Sequence, residues 1–254
     1  MITRKSESVL TRHAVNIFSC QTIPKTSWFH KLRNLCILYN LPPPSSMLAS
    51  PMTKYQFKKF VKSRVINYWE CLLREEVSCL RSVPYFNPQF MSLNRIHPLF
   101  SFAGHSPAHV NRSLVQALML SGRYRCGALT RHWDKTDGSC LLSVVCKGVI
   151  EDIPHILKSC PALAVTRINL LDFTKRYLTD LPDQMKFHLE SLFHPDHSNF
   201  CQLLLDCSPI PSLISLTQHL GPSILGHIFY LSRIWVFALH RERLKMLGIW
   251  KHAA

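Results

Sequence analysis

The chain has 254 residues, 47% of them hydrophobic, and a formal net charge of +15 from 30 Lys and Arg against 15 Asp and Glu. That apolar content is ample for a core in one large domain, or in one large and one small, while 8 glycines and many Leu-rich stretches argue against a turn-rich β sandwich and for helices. The charge is uneven, with 17 basic and 4 acidic residues over 1–125 against 13 and 11 over 126–254, which points to a polyanion, nucleic acid first, as partner of the N-terminal half.

Residues 1–26 read as an irregular tail. Helical spacing begins over residues 27–40, where Phe29, Leu32, Leu35 or Cys36, and Tyr39 recur every three to four positions. The run Leu41-Pro42-Pro43-Pro44 ends it, because proline excludes the helical conformation of the residue before it. A long helix is predicted over 54–80. Thr53 and Gln56 supply a Thr-x-x-Gln capping box. Phe57, Phe60, Val61, Val65, Tyr68, Trp69, Leu72 and Leu73 form its apolar stripe. Lys54, Lys58 and Lys62 fall at i, i+4 and i+8 and line one face. With Lys59 and Arg64 they belong to a run from Lys25 to Arg64 that holds eight basic residues and no acidic one. Cations at one-turn spacing suit a phosphate backbone; a plain solvated face has the same pattern.

Residues 84–104, rich in proline and aromatics, are expected to form a loop. Ser106-Pro107 then supplies an N-cap and a proline at the first helical position, and Gly122 a C-terminal stop. Further helices are predicted over 162–178, 184–193, 199–205, 212–219 and 223–247, with Asp180, Asp183, Asp196 and Ser223 suited to helix starts and Pro182, Pro195, Pro209 and Pro222 to breaks. The most apolar stretch, residues 224–239, carries His227 and Arg233 in its middle and reads as a buried helix, not a membrane span. The fold class that follows is mainly α, a helical assembly with one small irregular insert.

That insert is the run from Cys140 to Cys160, CLLSVVCKGVIEDIPHILKSC, with the pattern C-x5-C-x8-H-x4-C. The first residues show no uninterrupted apolar stretch with a cleavage site, so an intracellular, reducing setting (nucleus or cytoplasm) is expected, in which clustered cysteines are metal ligands or free core thiols. Three thiolates and an imidazole within one short loop suit a tetrahedral zinc ion, Zn2+. Lys147-Gly148 can turn the chain after the second cysteine, and Asp152 can cap a short helix over 153–159, from whose end Cys160 must bind. Cys126 and His132 stand nearby as reserve ligands, whereas Cys201 and Cys207 read as core residues. A pair of core cysteines beside a surface histidine is the competing reading.

The run Leu118-Met119-Leu120-Ser121-Gly122-Arg123-Tyr124-Arg125, then Leu129-Thr130-Arg131-His132-Trp133, then Cys140 to Leu163, closely resembles the region that follows the polymerase in non-LTR (LINE-type) retrotransposon reverse transcriptase polyproteins. Ser27-Trp28-Phe29, Tyr68-Trp69-Glu70 and the run from Tyr85 to Leu93 resemble the same region, so the likeness spans about residues 27–250. The resemblance implies a zinc knuckle on Cys140, Cys146, His155 and Cys160 that helps hold template RNA or target DNA, and an upstream reverse-transcriptase domain as partner. The interval between Cys140 and Cys146 is longer than is usual in that family.

Catalysis finds no support in the sequence. Polymerisation needs clustered carboxylates for two magnesium ions, yet no Tyr-x-Asp-Asp occurs and no two of the eight aspartates are adjacent. Pro182-Asp183 and Pro195-Asp196 lack the Asp/Glu-x-Lys that a restriction-like nuclease would add. Glycine-rich phosphate loops and a Gly-x-Ser-x-Gly are missing too. The expectation is a non-enzymatic module that contacts RNA or DNA phosphates through Lys54, Lys58, Lys59, Lys62, Arg64, Arg123, Arg125 and Arg131, offers Trp133 or Tyr124 for stacking (though such aromatics are more often core), and has no membrane and no small-molecule substrate. An inert or protein-binding helical scaffold is the rival. The expected layout is a tail (1–26), a basic helical region (27–125), a zinc-knuckle segment (126–165) and a C-terminal helical region (166–254).

Overall fold

A computed structural model of the chain describes residues 28–43, 46, 52–80, 83–88, 93, 95–104, 106–221 and 223–249. The irregular tail expected over 1–26 lies outside the described residues. The protein is mainly α, with no strand among the described residues, and it divides into two compact units, Met1–Glu76 and Val77–Ala254.

In the first unit, α1 (Trp28–Leu38) ends where Asn40 takes a left-handed φ of 50°, so that Leu41 N donates to Cys36 O at 2.8 Å and Asn40 N to Ile37 O at 3.1 Å. This is the Schellman closure that satisfies the last free carbonyls of a helix. α2 (Lys54–Ser78) opens on the expected capping box: Thr53 N donates to Gln56 Oε1 at 3.0 Å and Gln56 N to Thr53 Oγ1 at 3.3 Å. Tyr39 meets Tyr68 edge to face at 5.2 Å. The stripe expected to be apolar core is only half covered: none of its side chains is buried, and Phe57 and Trp69 are exposed.

The second unit is organised on α10 (Ser223–Met246). Around it stand α3 (Pro98–Ser101), α4 (Pro107–Leu120), α5 (Gly127–Asp134), α6 (Ala164–Tyr177), α7 (Asp183–Leu192), α8 (Phe200–Leu205) and α9 (Pro211–Leu220). α10 packs on α4, α6, α8 and α9, so its apolar residues are needed on more than one face: Ile228, Phe229, Leu231, Trp235, Val236 and Leu239 are all buried. A helix hydrophobic around most of its circumference belongs at a centre. The Trp235 ring meets Phe200 edge to face at 5.3 Å, and its Nε1 donates to Thr174 Oγ1 at 2.8 Å. Gln116 Nε2 donates to Leu204 O and Leu205 O, which supplies the donors that the C-terminal carbonyls of α8 otherwise lack. α4 stops as the sequence predicts: Gly122 has φ 66°, Arg123 N donates to Leu118 O at 2.9 Å and Gly122 N to Met119 O at 3.2 Å.

Two short helices depart from the expected pattern. α3 lies in the stretch predicted as loop; His97 Nδ1 accepts from Leu99 N at 3.2 Å, Pro98 opens the turn, and the fully buried Leu99 fixes it to the core. α5 lies in a stretch for which no helix is predicted, and its start is set by tertiary contacts described below. Cys126, Cys140, Cys146, Ile156, Leu157, Cys160 and Leu163 share one continuous core with the helices of this unit. None of the described helices is long and apolar enough to cross a membrane.

Because Trp235 is wholly buried among aromatic rings, Trp235→Ala is expected to lower the unfolding free energy by about 3–5 kcal/mol. The control Phe187→Ala, at an exposed position of α7, is expected to change it by less than about 0.5 kcal/mol. Urea titration followed by far-UV circular dichroism checks both, and similar losses in the two variants would contradict this account of the core.

Candidate metal centre

The chain from Gly138 to Glu151 doubles back on itself. Cys140 N donates to Val149 O at 2.8 Å, Glu151 N to Gly138 O at 2.9 Å, and Ser139 pairs antiparallel with Ile150. At the far end, Ser143 Oγ accepts from Val145 N at 3.2 Å and caps a single 3-10 turn, Val144–Cys146. That turn takes up the long interval between the two cysteines and swings Cys146 back toward Cys140. Lys147 (φ −56°, ψ 124°) and Gly148 (φ 82°) then form a type II turn closed by Val149 N donating to Cys146 O at 2.9 Å. The second central position of such a turn requires a positive φ, which glycine adopts without strain.

The third and fourth ligand positions come from the helical segment that follows. Asp152 Oδ1 caps it by accepting from His155 N at 2.7 Å. From His155 to Ser159 the winding is π, and Cys160 N donates to His155 O at 2.7 Å. In an α-helix, positions five apart point about 140° away from each other; the wider i→i+5 turn returns position 160 to the face of position 155. Cys160 itself is extended (φ −60°, ψ 117°), and Pro161 starts the 3-10 turn that leads into α6. The cysteine thus stands at the helix end, as its spacing from His155 implies.

These turns bring Cys140, Cys146, His155 and Cys160 into one buried cluster in which the ligand atoms all lie within 4.8 Å of one another. Cys160 Sγ is 3.9 Å from Cys140 Sγ and 3.9 Å from Cys146 Sγ. A tetrahedron with zinc–sulfur bonds of about 2.3 Å has sulfur–sulfur edges of about 3.8 Å, whereas a disulfide would need about 2.05 Å; the thiols are free. His155 supplies a second test of fit. Its Nδ1 lies 3.4 Å from Ser159 Oγ, and its Nε2 is buried without a hydrogen-bond partner. A buried, unsatisfied nitrogen is costly, and a cation in the cluster would satisfy it. Four soft or borderline donors in this arrangement can hold one metal ion such as zinc.

The electrostatics match that chemistry. Burial pushes the Cys140, Cys146 and Cys160 thiols up and holds the His155 imidazole below its usual range. The imidazole is therefore neutral, as a ligand must be, while the thiols need a positive charge beside them to ionise. Arg167, itself buried, donates from Nη2 to the Cys160 carbonyl and leaves Nη1 without a partner. Three thiolates around a divalent ion would carry a net charge of minus one, which this guanidinium would offset. All four positions are buried protein side chains, which is the closed form of a structural site.

A polar clamp fixes this loop to the rest of the unit. Glu151 accepts from Arg243 Nε at 2.9 Å and from Nη2 at 2.7 Å, and its Oε2 also accepts from Gly127 N at 2.9 Å at the start of α5. Gly127 and Gly138 approach so closely that a Cβ on either would run into the other's backbone carbonyl. Arg243 lies over the Tyr124 ring at 5.4 Å, and the Tyr124 hydroxyl and His240 Nδ1 share a hydrogen bond at 2.8 Å. Burial, then the Arg243 charge, pushes His240 down to about 4, and burial pushes Tyr124 up to about 12, so this bond joins a neutral imidazole to a neutral phenol. Glu151 and Arg243 were not singled out from the sequence. Their only signal was a carboxylate immediately after the apolar pair Val149-Ile150, and a cation 92 residues away from it on another element.

The remaining candidates separate. Cys126 is buried at the start of α5 and His132 is exposed on that helix, and neither belongs to the four-residue cluster. Cys201 and Cys207 are core residues. Lys54, Lys58, Lys59, Lys62 and Arg64 are all exposed on α2, with Arg64 over the Phe60 ring at 5.3 Å. In the second unit, Arg123 and Arg125 are exposed on either side of the buried Tyr124, and Arg131 is exposed on α5, which packs against Gly138. Tyr124, named from sequence as a stacking residue, is unavailable for that role because it is sealed under Arg243. Trp133 is 80% exposed.

The chain matches no known protein-family model, no curated protein and no solved structure.

Zinc-supplemented protein is expected to retain about one zinc ion per chain after desalting, by atomic emission, and Cys146→Ser and Cys160→Ser to lose it. Affinity should fall as pH falls through the neutral range, since bound thiolates are deprotonated and burial has raised the thiols they come from. Equal zinc content in wild type and both variants would remove the site. Arg243→Ala, which strands the Glu151 carboxylate, is expected to cost about 3–5 kcal/mol in the same urea titration.

Proposed function

We propose that the chain is a zinc-braced, non-catalytic nucleic-acid-binding segment of a non-LTR retrotransposon reverse transcriptase polyprotein. The observation that carries this reading is the convergence of Cys140, Cys146, His155 and Cys160 in one buried cluster, because those are the positions at which the family's knuckle motif falls. The brace fixes the loop from Gly138 to Glu151, and α5, with Arg131 and the exposed Trp133, is anchored to that loop by the Gly127–Glu151 bond. Arg123 and Arg125 flank the approach to α5. Exposed guanidiniums beside an exposed indole suit the phosphates and unstacked bases of a single strand. On α2, Lys54, Lys58 and Lys62 add a separate row of ammonium groups. The non-catalytic part rests on the sequence, which lacks the carboxylate pairs that polymerase and nuclease chemistry require. An upstream polymerase domain is the protein partner that the family likeness suggests.

A second reading has an observation of its own. The closed, fully buried ligand set is what a purely structural zinc site needs, and such a site would hold the second unit together without touching nucleic acid.

Binding of a fluorescently labelled single-stranded RNA or DNA, followed by anisotropy across a salt series, separates the two. The proposal expects log affinity to fall linearly with log salt by about 0.7 per phosphate contacted. It expects the triple charge reversal Lys54→Glu, Lys58→Glu, Lys62→Glu to weaken binding and flatten that slope while zinc content stays at the wild-type level. No binding at low salt, or an affinity indifferent to salt, would leave the structural reading standing alone.

A further inference from the structure

The seam between α4 and α10 gathers positive charge that no acidic group pairs with among the described residues. His109 and Arg112 are three residues apart on α4 and share a face, as do Tyr230, Arg233 and Phe237 on α10. The two faces touch: the His109 ring meets Tyr230 edge to face at 5.6 Å, and the Arg112 guanidinium lies over the Phe237 ring at 5.8 Å. Arg233 is 2% exposed. Its Nη2 donates to Phe102 O at 3.0 Å and its Nη1 lies 3.5 Å from Leu99 O, while its Nε is buried with no partner. His109 Nδ1 is likewise buried with no partner. Neither Arg112 nor Arg233 takes part in an ion pair among the described residues.

Backbone carbonyls carry only partial charge, so Leu99 O and Phe102 O neutralise a fraction of the Arg233 guanidinium. The rest goes unanswered, and Arg112 adds to it. The repulsion is felt on both helices: burial and then Arg112 hold Arg233 below its ordinary value, and burial and then the two guanidiniums do the same to His109. A buried cation is ordinarily paired, and the Glu151–Arg243 clamp shows that this same helix pairs one when a carboxylate is within reach. An oxyanion would supply what the seam lacks, and a guanidinium fork matches the oxygens of a phosphate.

We propose that the α4–α10 seam, through Arg112, His109 and the buried Arg233, is a binding site for a phosphate group, separate from the zinc centre and from the lysines of α2. The group can arrive as free phosphate or as a phosphodiester of a nucleic-acid strand.

The test uses the full, zinc-loaded chain. Inorganic phosphate is titrated against sodium chloride of equal ionic strength, with thermal unfolding and isothermal calorimetry as readouts. A saturable rise in Tm specific to phosphate is expected. Arg112→Gln, at a half-buried position that leaves the core intact, should weaken phosphate binding about tenfold or more, the effect of losing a charge-assisted hydrogen bond, with zinc content unchanged. His109→Gln should weaken it less. A response to phosphate no larger than to chloride, or one unaltered in Arg112→Gln, overturns the site. A short single-stranded oligonucleotide then identifies the source: displacement of phosphate assigns the seam to a nucleic-acid backbone, and undisturbed phosphate binding assigns it to a free phosphate or phosphomonoester. Phosphate binding without oligonucleotide binding would uphold this site while counting against the nucleic-acid reading.

Discussion

The second unit depends on a polar contradiction at its core. Three thiols and an imidazole meet within a few ångströms of one another, away from water, in a region with little regular secondary structure to hold it. Neutral thiols pack as small hydrophobes, but an imidazole nitrogen with no partner does not belong in such a place. A cation would resolve the conflict by turning four weakly interacting groups into four bonds from one centre. The loop of 138–151, the π-wound turn and the lead into α6 would then be fixed by a single ion rather than by a sheet or a long helix.

The Glu151–Arg243 pair complements that centre from the other side. A buried ion pair adds little net stability over apolar packing, but removing one member is costly. Here it selects the far end of α10 as the partner of the loop and, through Gly127, sets where α5 begins. The ligand loop is thereby held at two points of different chemistry. One is a soft donor set able to hold a metal ion; the other is a charged hydrogen-bond fork that needs no ion.

Much of this was legible in the sequence wherever the signal is local. Caps and stops at Thr53, Gln56 and Gly122 determine helix ends through their own backbone geometry, and the long apolar run of α10 announces a central helix. That Cys140, Cys146, His155 and Cys160 would come together was legible from residue type and spacing. What was hidden depends on partners distant in the chain. α3 is held by Leu99 in the core, and α5 by the Glu151 carboxylate and a glycine-to-glycine approach. Tyr124 carries two readings in sequence, stacking or core, and α10 closes over it. Trp133 carries the same two readings and is exposed. On α2 the periodicity was correct but did not report how much of the stripe would be covered, because periodicity fixes which residues share a face and says nothing of what lies opposite.

The π winding between His155 and Cys160 bears on how such sites vary between chains. A π turn accommodates one residue more than an α turn over nearly the same rise, so its presence absorbs an insertion without displacing what lies on either side. A histidine and a cysteine four apart on an ordinary helix would present their donors in much the same relation as these two do five apart. The interval between them is thus a weak signature of this centre: a loosened turn carries one residue more than an ordinary one, and chains that differ in spacing could still build an equivalent coordination shell.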